Sequence, residues 1–311
     1  MTGSGQATAM GTVTGRWIPS ALLVGTAVAA GMVLMRRSRS TGEALGEPHL
    51  GTSSNGMEYS VIGTGPKNLL HLQGGPGSAI QGGWLGKFLA GTRRPYLATG
   101  FRFWDVTRRR HMPTGHSVAD MADDYAQFIR EQLSGHADLV YGLSYGGMVA
   151  IYLAANHPEL VGRVVLAFSG ATAVCGELDH EISTAVAEGR LADAGAASLV
   201  LVFPGERWRT VRRALAPLVG RLLAAMKVPP GDLLVERDAE ETYDARNVLG
   251  RIKAPVLILS AERDEFFPPE IVAETAASIA NCTVITYRRL THAQGAASNR
   301  PIRDVLAWLG S

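Results

Sequence analysis

Residues 137–156 read "ADLVYGLSYGGMVAIYLAAN", an apolar run that passes through Gly142, Leu143, Ser144, Tyr145 and Gly146 into a second apolar stretch. The first part (137–142) has the length and composition of a buried strand, and residues 145–156 have those of a helix. Between them stands G-x-S-x-G. A serine at a sharp strand-to-helix turn sits in strained backbone, and glycines two before and two after remove the Cβ clashes that would forbid the turn. The helix start behind it favours negative charge developing near the serine. The spacing therefore marks Ser144 as a candidate nucleophile. A glycine-rich turn carrying an ordinary exposed serine is the bland alternative.

Outward from this turn, short apolar runs alternate with amphipathic stretches, which predicts an α/β fold with a mostly parallel sheet covered by helices. Strands are expected at 57–62, 68–72, 101–106, 163–168, 255–260 and 283–288, and further helices at 119–133, 270–280 and 301–309. The strand signal disappears between residues 171 and 250, which read as an inserted helical cap. The division expected is a core of 57–170 and 251–311, a cap of 171–250, a linker of 41–56 and an N-terminal segment of 1–40.

A serine nucleophile needs a base, and the base needs an orienting carboxylate. Asp264 lies just beyond the run "PVLILS" (255–260), with Glu262 and Glu265 as weaker alternatives beside it. His292 follows "TVITYR" (283–288), and of the eight histidines it alone is both C-terminal to the acid and on a post-strand loop. Functional groups in an open α/β sheet gather beyond the carboxyl ends of the strands, so Ser144, Asp264 and His292 belong to one edge. Their chain order, Ser then Asp then His, suits a nucleophile-elbow hydrolase.

Composition narrows the partners. The net charge of +2 is carried by residues 1–50, where Arg16, Arg36, Arg37 and Arg39 face Glu43 and Glu47; the remainder balances at 26 basic and 26 acidic residues. No basic footprint for nucleic acid is expected. Cys175 and Cys282 lack zinc-site or disulfide-framework spacing, and no metal or other cofactor is expected. The turn "GGPG" (74–77) is not followed by G-x-G-x-x-G or G-K-[ST], which argues against a phosphate-binding loop.

Residues 17–35, "WIPSALLVGTAVAAGMVLM", carry no charge, and as a helix would span roughly 28 Å. Arg36, Arg37 and Arg39 follow the run, so the positive-inside rule predicts a transmembrane helix with the catalytic domain in the cytoplasm. A signal peptide, or an extension before a later start such as Met57, are the other readings, leaving a secreted or soluble cytoplasmic chain.

Taken together, "GLSYGG", "AERDEFFPP" (261–269), "ANHPELVGRVVLA" (155–167) and "YDARNVLGRIKAPVLIL" (243–259) resemble the α/β-hydrolase superfamily across roughly residues 57–309. The resemblance implies the α/β-hydrolase fold and a Ser144–His292–Asp264 triad. "LQGGPGS" (72–78) is similar to the loop after the third strand of proline iminopeptidase-like members. By that match the N–H of Gly75 is one oxyanion donor, and that of Tyr145, the residue after the nucleophile, is the other. Gln73 stands where that subfamily usually has histidine, "GLSYG" departs from its "GGSWG" elbow, and "FWDVTRRR" (103–110) keeps Asp105 but loses the R-G of the family's D-x-R-G turn. The expected activity is therefore cleavage of a small-molecule ester, lipid-like if the anchor holds, through an acyl-enzyme. An aminopeptidase-like enzyme and a non-catalytic binding protein of the same fold are the alternatives. Glu177, Asp179, Glu181 and Asp193 are the cap carboxylates that could hold an α-amine.

Overall fold

The computed structural model describes residues 47–75, 77–82, 86, 90–174, 177–203 and 205–310. Its strands are β1 (His49–Thr52), β2 (Met57–Ile62), β3 (Lys67–Leu72), β4 (Phe101–Arg109), β5 (Leu139–Leu143), β6 (Val164–Ala167), β7 (Val256–Arg263) and β8 (Cys282–Thr291). The helices are α1 (Arg94–Leu97), α2 (Val118–Gln132), α3 (Tyr145–Asn156), α4 (Glu177–Ala187), α5 (Leu191–Val202), α6 (Arg209–Ala225), α7 (Pro230–Glu241), α8 (Pro269–Ala277), α9 (His292–Ala296) and α10 (Arg300–Leu309).

The strands form one sheet in the order β1-β2-β4-β3-β5-β6-β7-β8. The pairs β1–β2 and β2–β4 are antiparallel, and every later pair is parallel. Side chains alternate across a strand. Thus Leu70, Leu72, Val256 and Ile258 enter one buried cluster with α2 and α3, while Leu69, Leu257 and Leu259 enter another on the opposite face with Val305 of α10. Both faces are covered, which is why β5, β6 and β7 read as nearly continuous apolar runs. Between β6 and β7 the described residues form α4–α7 and no strand, and this excursion carries the small cluster of Leu199, Phe203, Ala216 and Val219.

Three register relations build one edge of the sheet. Leu72 pairs with Gly142, so the loop leaving β3 lies beside the turn leaving β5. Ala167 pairs with Leu143 on one side and Leu259 on the other, which seats β6 between β5 and β7. After a shift beyond Ala261, Arg263 pairs with Thr291, so Asp264 and His292 leave adjacent strands side by side.

The localisation expected from residues 17–35 is corrected. Among the described residues no helix is long and apolar enough to cross a membrane, and a membrane-anchored chain with its catalytic domain held at the cytoplasmic side is not supported. The 17–35 segment itself lies outside the described residues. Residues 49–52, inside the stretch read as a linker, form β1 and pair with β2 from Val61 to Glu58.

Candidate active site

Ser144 caps α3 with φ 51° and ψ −119°. This non-glycine positive φ costs on the order of 1–3 kcal/mol and persists where its surroundings hold it. Here they do: Ser144 N donates to Ala167 O on β6 (2.9 Å), and Gly147 N donates to Ser144 O (2.7 Å). A Cβ on Gly146 would strike the carbonyls of Leu72 and Gln73, and one on Gly142 would strike the backbone of Gly146 and Gly147. The glycines of the motif are thus required by close backbone approach, Gly146 to the end of β3 and Gly142 to the start of α3.

His292 begins α9, whose first turn is set by a reciprocal cap: Thr291 Oγ1 accepts from Gln294 N, and Gln294 Oε1 accepts from Thr291 N. The imidazole lies among Phe168, Phe266 and Phe267, with ring centroids 6.1, 5.0 and 5.9 Å away. Its Nδ1 is 3.0 and 2.9 Å from the two carboxylate oxygens of Asp264, and its Nε2 is 3.0 Å from Ser144 Oγ. A carboxylate can only accept, so Nδ1 carries the proton and Nε2 is left as an acceptor facing the serine hydroxyl. Asp264, with its side chain 1% exposed, also accepts from Phe266 N (3.0 Å) and Phe267 N (2.9 Å) at Oδ1. Those two amides orient the carboxylate independently of the histidine.

Gly75, Ser144, Tyr145 and His292 border one cavity of about 270 Å³. Its far wall is mostly apolar and comes from the excursion: Ile182 and Val186 of α4, Leu223 of α6, Met226, Val228, and Leu233 of α7. Phe203 and Trp208 of the excursion pack on each other (5.4 Å between centroids), with Phe203 in the α5–α6 cluster. Glu181 and Asp193 line a separate surface recess with Arg209, Arg212 and Arg213, and the side chains of Glu177 and Asp179 lie outside the described ones. The carboxylate in the cavity wall is Glu240 of α7, which no sequence pattern singles out.

The loop after β3 is held from below by two buried charge clusters. Gln73 Nε2 donates to Asp105 Oδ1 (2.9 Å) while its Oε1 accepts from Ala79 N (2.9 Å). Asp105 also binds His71 Nδ1 (2.8 Å) and the Arg93 guanidinium. Burial alone would raise the Asp105 pKa, but Arg93, His71 and Gln73 together bring it down to about 2. On the other side, Arg108 of β4 pairs with Glu236 of α7, their side chains 1% and 2% exposed. Burial disfavours the Arg108 charge, yet Glu236 outweighs it and raises the guanidinium pKa further. Sequence reading missed both Arg108 and Glu236. The Arg108 signal is the run "TRRR", whose arginine enters a strand interior where a solvated one would not.

A family model for the alpha/beta hydrolase fold matches residues 67–231. A pimeloyl-[acyl-carrier protein] methyl ester esterase of Neisseria meningitidis is 28% identical over 196 residues, covering 58% of this chain and 73% of that protein. Among solved structures, a hydrolase from Pseudomonas aeruginosa superposes with a TM-score of 0.61 at 24% identity, over 86% of this chain and 99% of that one. An esterase from Exiguobacterium antarcticum gives 0.63 at 18% identity, over 84% and 99%. These structural likenesses speak to the fold. With the sheet order and the matched family model together, the chain belongs to the α/β-hydrolase fold family.

Proposed function

We propose that the protein is a serine hydrolase that cleaves a small-molecule carboxylic ester through an acyl-enzyme. The enzyme class follows from the family and from relatives named as esterase and hydrolase. The observation that carries the finer reading is the continuous hydrogen-bonded chain from Ser144 Oγ through His292 to Asp264.

In this reading Ser144 gives its proton to His292 Nε2 as Oγ attacks the ester carbonyl carbon. The N–H groups of Gly75 and Tyr145 stabilise the oxyanion, and Asp264 stabilises the imidazolium. His292 then protonates the departing alcohol, and water attacks the acyl-enzyme by the same proton route. The division into a core of 57–170 and 251–311 and a cap of 171–250 belongs to the same proposal, the cap supplying the apolar wall that receives the acyl or alcohol chain.

The test is fluorophosphonate labelling of the wild type and Ser144→Ala, followed by p-nitrophenyl esters of graded chain length and amino-acid anilides. Labelling of the wild type alone, with esters turned over faster than anilides, is expected. A folded wild type that takes no label would instead leave a binding protein. Glu240 in the cavity wall favours a second reading, an aminopeptidase-like hydrolase whose substrate amine meets that carboxylate. Anilide turnover exceeding ester turnover, and lost in Glu240→Gln, would put that reading first.

A further inference from the structure

The orientation of one peptide bond decides whether the loop after β3 can act as an oxyanion site. Across a trans peptide, the C=O of Gly74 and the N–H of Gly75 point in opposite directions. Whatever holds the Gly74 carbonyl therefore aims the Gly75 amide. That carbonyl accepts from Arg108 Nη2 (3.1 Å), and the preceding carbonyl, of Gln73, accepts from Nη1 (2.8 Å). Both carbonyls turn toward the buried guanidinium, which leaves the Gly75 N–H facing the other way.

Arg108 is itself clamped. Its Nε donates to Glu236 Oε1 (2.6 Å) and its Nη2 to Oε2 (3.0 Å). Glu236 Oε2 also accepts from Gly77 N (2.7 Å), at the end of the turn. The same pair reaches the second expected donor, because the guanidinium lies 4.7 Å from the Tyr145 ring centroid and Tyr145 Oη donates to Glu236 O (3.0 Å). One ion pair thus touches Gln73, Gly74, Gly77 and Tyr145, and it joins them to α7. Simple stability does not explain it. A buried ion pair is often no more stabilising than apolar residues of the same volume, but apolar residues cannot orient carbonyls.

We propose that Arg108, held by Glu236, is the positioning residue that sets the Gly74–Gly75 peptide with its N–H toward the oxyanion. The proposal rests on the acyl-enzyme reading above. It implies that the oxyanion site is completed from α7, outside the residues that reach substrate.

The full-length chain tests it in three variants: the apolar exchange Arg108→Met/Glu236→Leu, the conservative Arg108→Lys, and the isosteric Glu236→Gln. Thermal unfolding is followed together with kcat, KM and the affinity of a trifluoromethyl ketone, which forms a tetrahedral adduct on the serine. A misaligned oxyanion donor costs about 10²-fold in kcat. The folded apolar exchange is expected to lose that much, with KM within about threefold and ketone affinity falling in parallel. Arg108→Lys recovers little, because one ammonium does not reproduce the planar fork. If the apolar exchange does not fold, Glu236→Gln decides: it keeps the size and an acceptor, and a loss of about tenfold in both kcat and ketone affinity is expected. A folded variant of either kind with wild-type kcat, or with kcat reduced while ketone affinity is unchanged, overturns the proposal. A wild type that takes no fluorophosphonate overturns the acyl-enzyme reading itself, and the positioning role with it.

Discussion

Replacing Asp264 by asparagine removes one charge and no volume, and the surroundings of the carboxylate dictate how the amide must sit. Oδ1 accepts from Phe266 N and Phe267 N at 3.0 and 2.9 Å. An amide NH2 placed there would face two donors, so the asparagine oxygen takes that position and its NH2 takes that of Oδ2, 2.9 Å from His292 Nδ1. Oδ1 also lies 3.0 Å from Nδ1 but already receives the two amides, so Nδ1 is expected to accept from the NH2, which moves the imidazole proton to Nε2, 3.0 Å from Ser144 Oγ. A histidine donating to the serine cannot take its proton. Loss of the correct tautomer costs about 10⁴ in kcat where a Ser-His-Asp triad operates, or about 5.4 kcal/mol of transition-state stabilisation. The fold should barely notice, since each hydrogen bond to the site is replaced. The assay is steady-state hydrolysis of a p-nitrophenyl ester beside thermal unfolding of Asp264→Asn. A variant that melts with the wild type yet keeps kcat within tenfold would refute the assigned roles of Asp264 and His292.

Other outcomes follow from the supports of the site. In Gly146→Ala the new methyl meets the carbonyls of Leu72 and Gln73, which are backbone and cannot swing aside; a loss of about 1–3 kcal/mol in urea unfolding is expected, together with reduced labelling of Ser144. Gln73→Leu strips Ala79 N of its acceptor and Asp105 of one donor, so about 2–4 kcal/mol of stability should go, with kcat falling as the loop loosens. The Asp105 pKa is lowered to about 2 from 3.8. A depressed folded pKa gives stability that is full above the unfolded value and lost as pH falls from about 4 through 2, amounting to about 2 kcal/mol. The difference in unfolding free energy between the wild type and Asp105→Asn should accordingly shrink across that window, and a difference constant from pH 6 to pH 2.5 would contradict the assignment.

What is legible in the sequence is what local chemistry constrains. The strand-to-helix turn at Ser144 reads clearly because its glycines answer to sterics, and residues 145–156 form α3 end to end. Asp264 and His292 can be placed by strand ends because parallel topology sends those ends to one edge. β1 escapes because an antiparallel edge strand of four residues needs no apolar alternation, and its Leu50 is exposed. β4 runs on through Thr107, Arg108 and Arg109, and the first two are buried and satisfied: Thr107 Oγ1 accepts from Glu58 N, and Arg108 meets Glu236. The Arg108–Glu236 pair joins positions 128 apart in the chain, and neither period nor motif connects them. Long-range polar pairing of this kind becomes visible once the excursion between β6 and β7 is folded back onto the sheet.

The same geometry changes what the departure at Gln73 means. A neutral imidazole offers one donor and one acceptor, and it loses the acceptor on protonation. The glutamine amide offers both at any pH, and here it uses both, giving to Asp105 and accepting from Ala79. Its exchange for the subfamily's histidine therefore preserves the hydrogen-bonding roles available at that position, while removing a group that could titrate beside Asp105. Gln73 lies beneath the loop and is not among the residues bordering the cavity, so the departure carries no information about ester against amide chemistry. On the proposed reading, discrimination between substrates falls to the wall that α4, α6 and α7 bring to the cavity beside Ser144. There Ile182, Val186, Leu223 and Leu233 line the cavity together with the carboxylate of Glu240, the contrast on which the ester and amine readings divide.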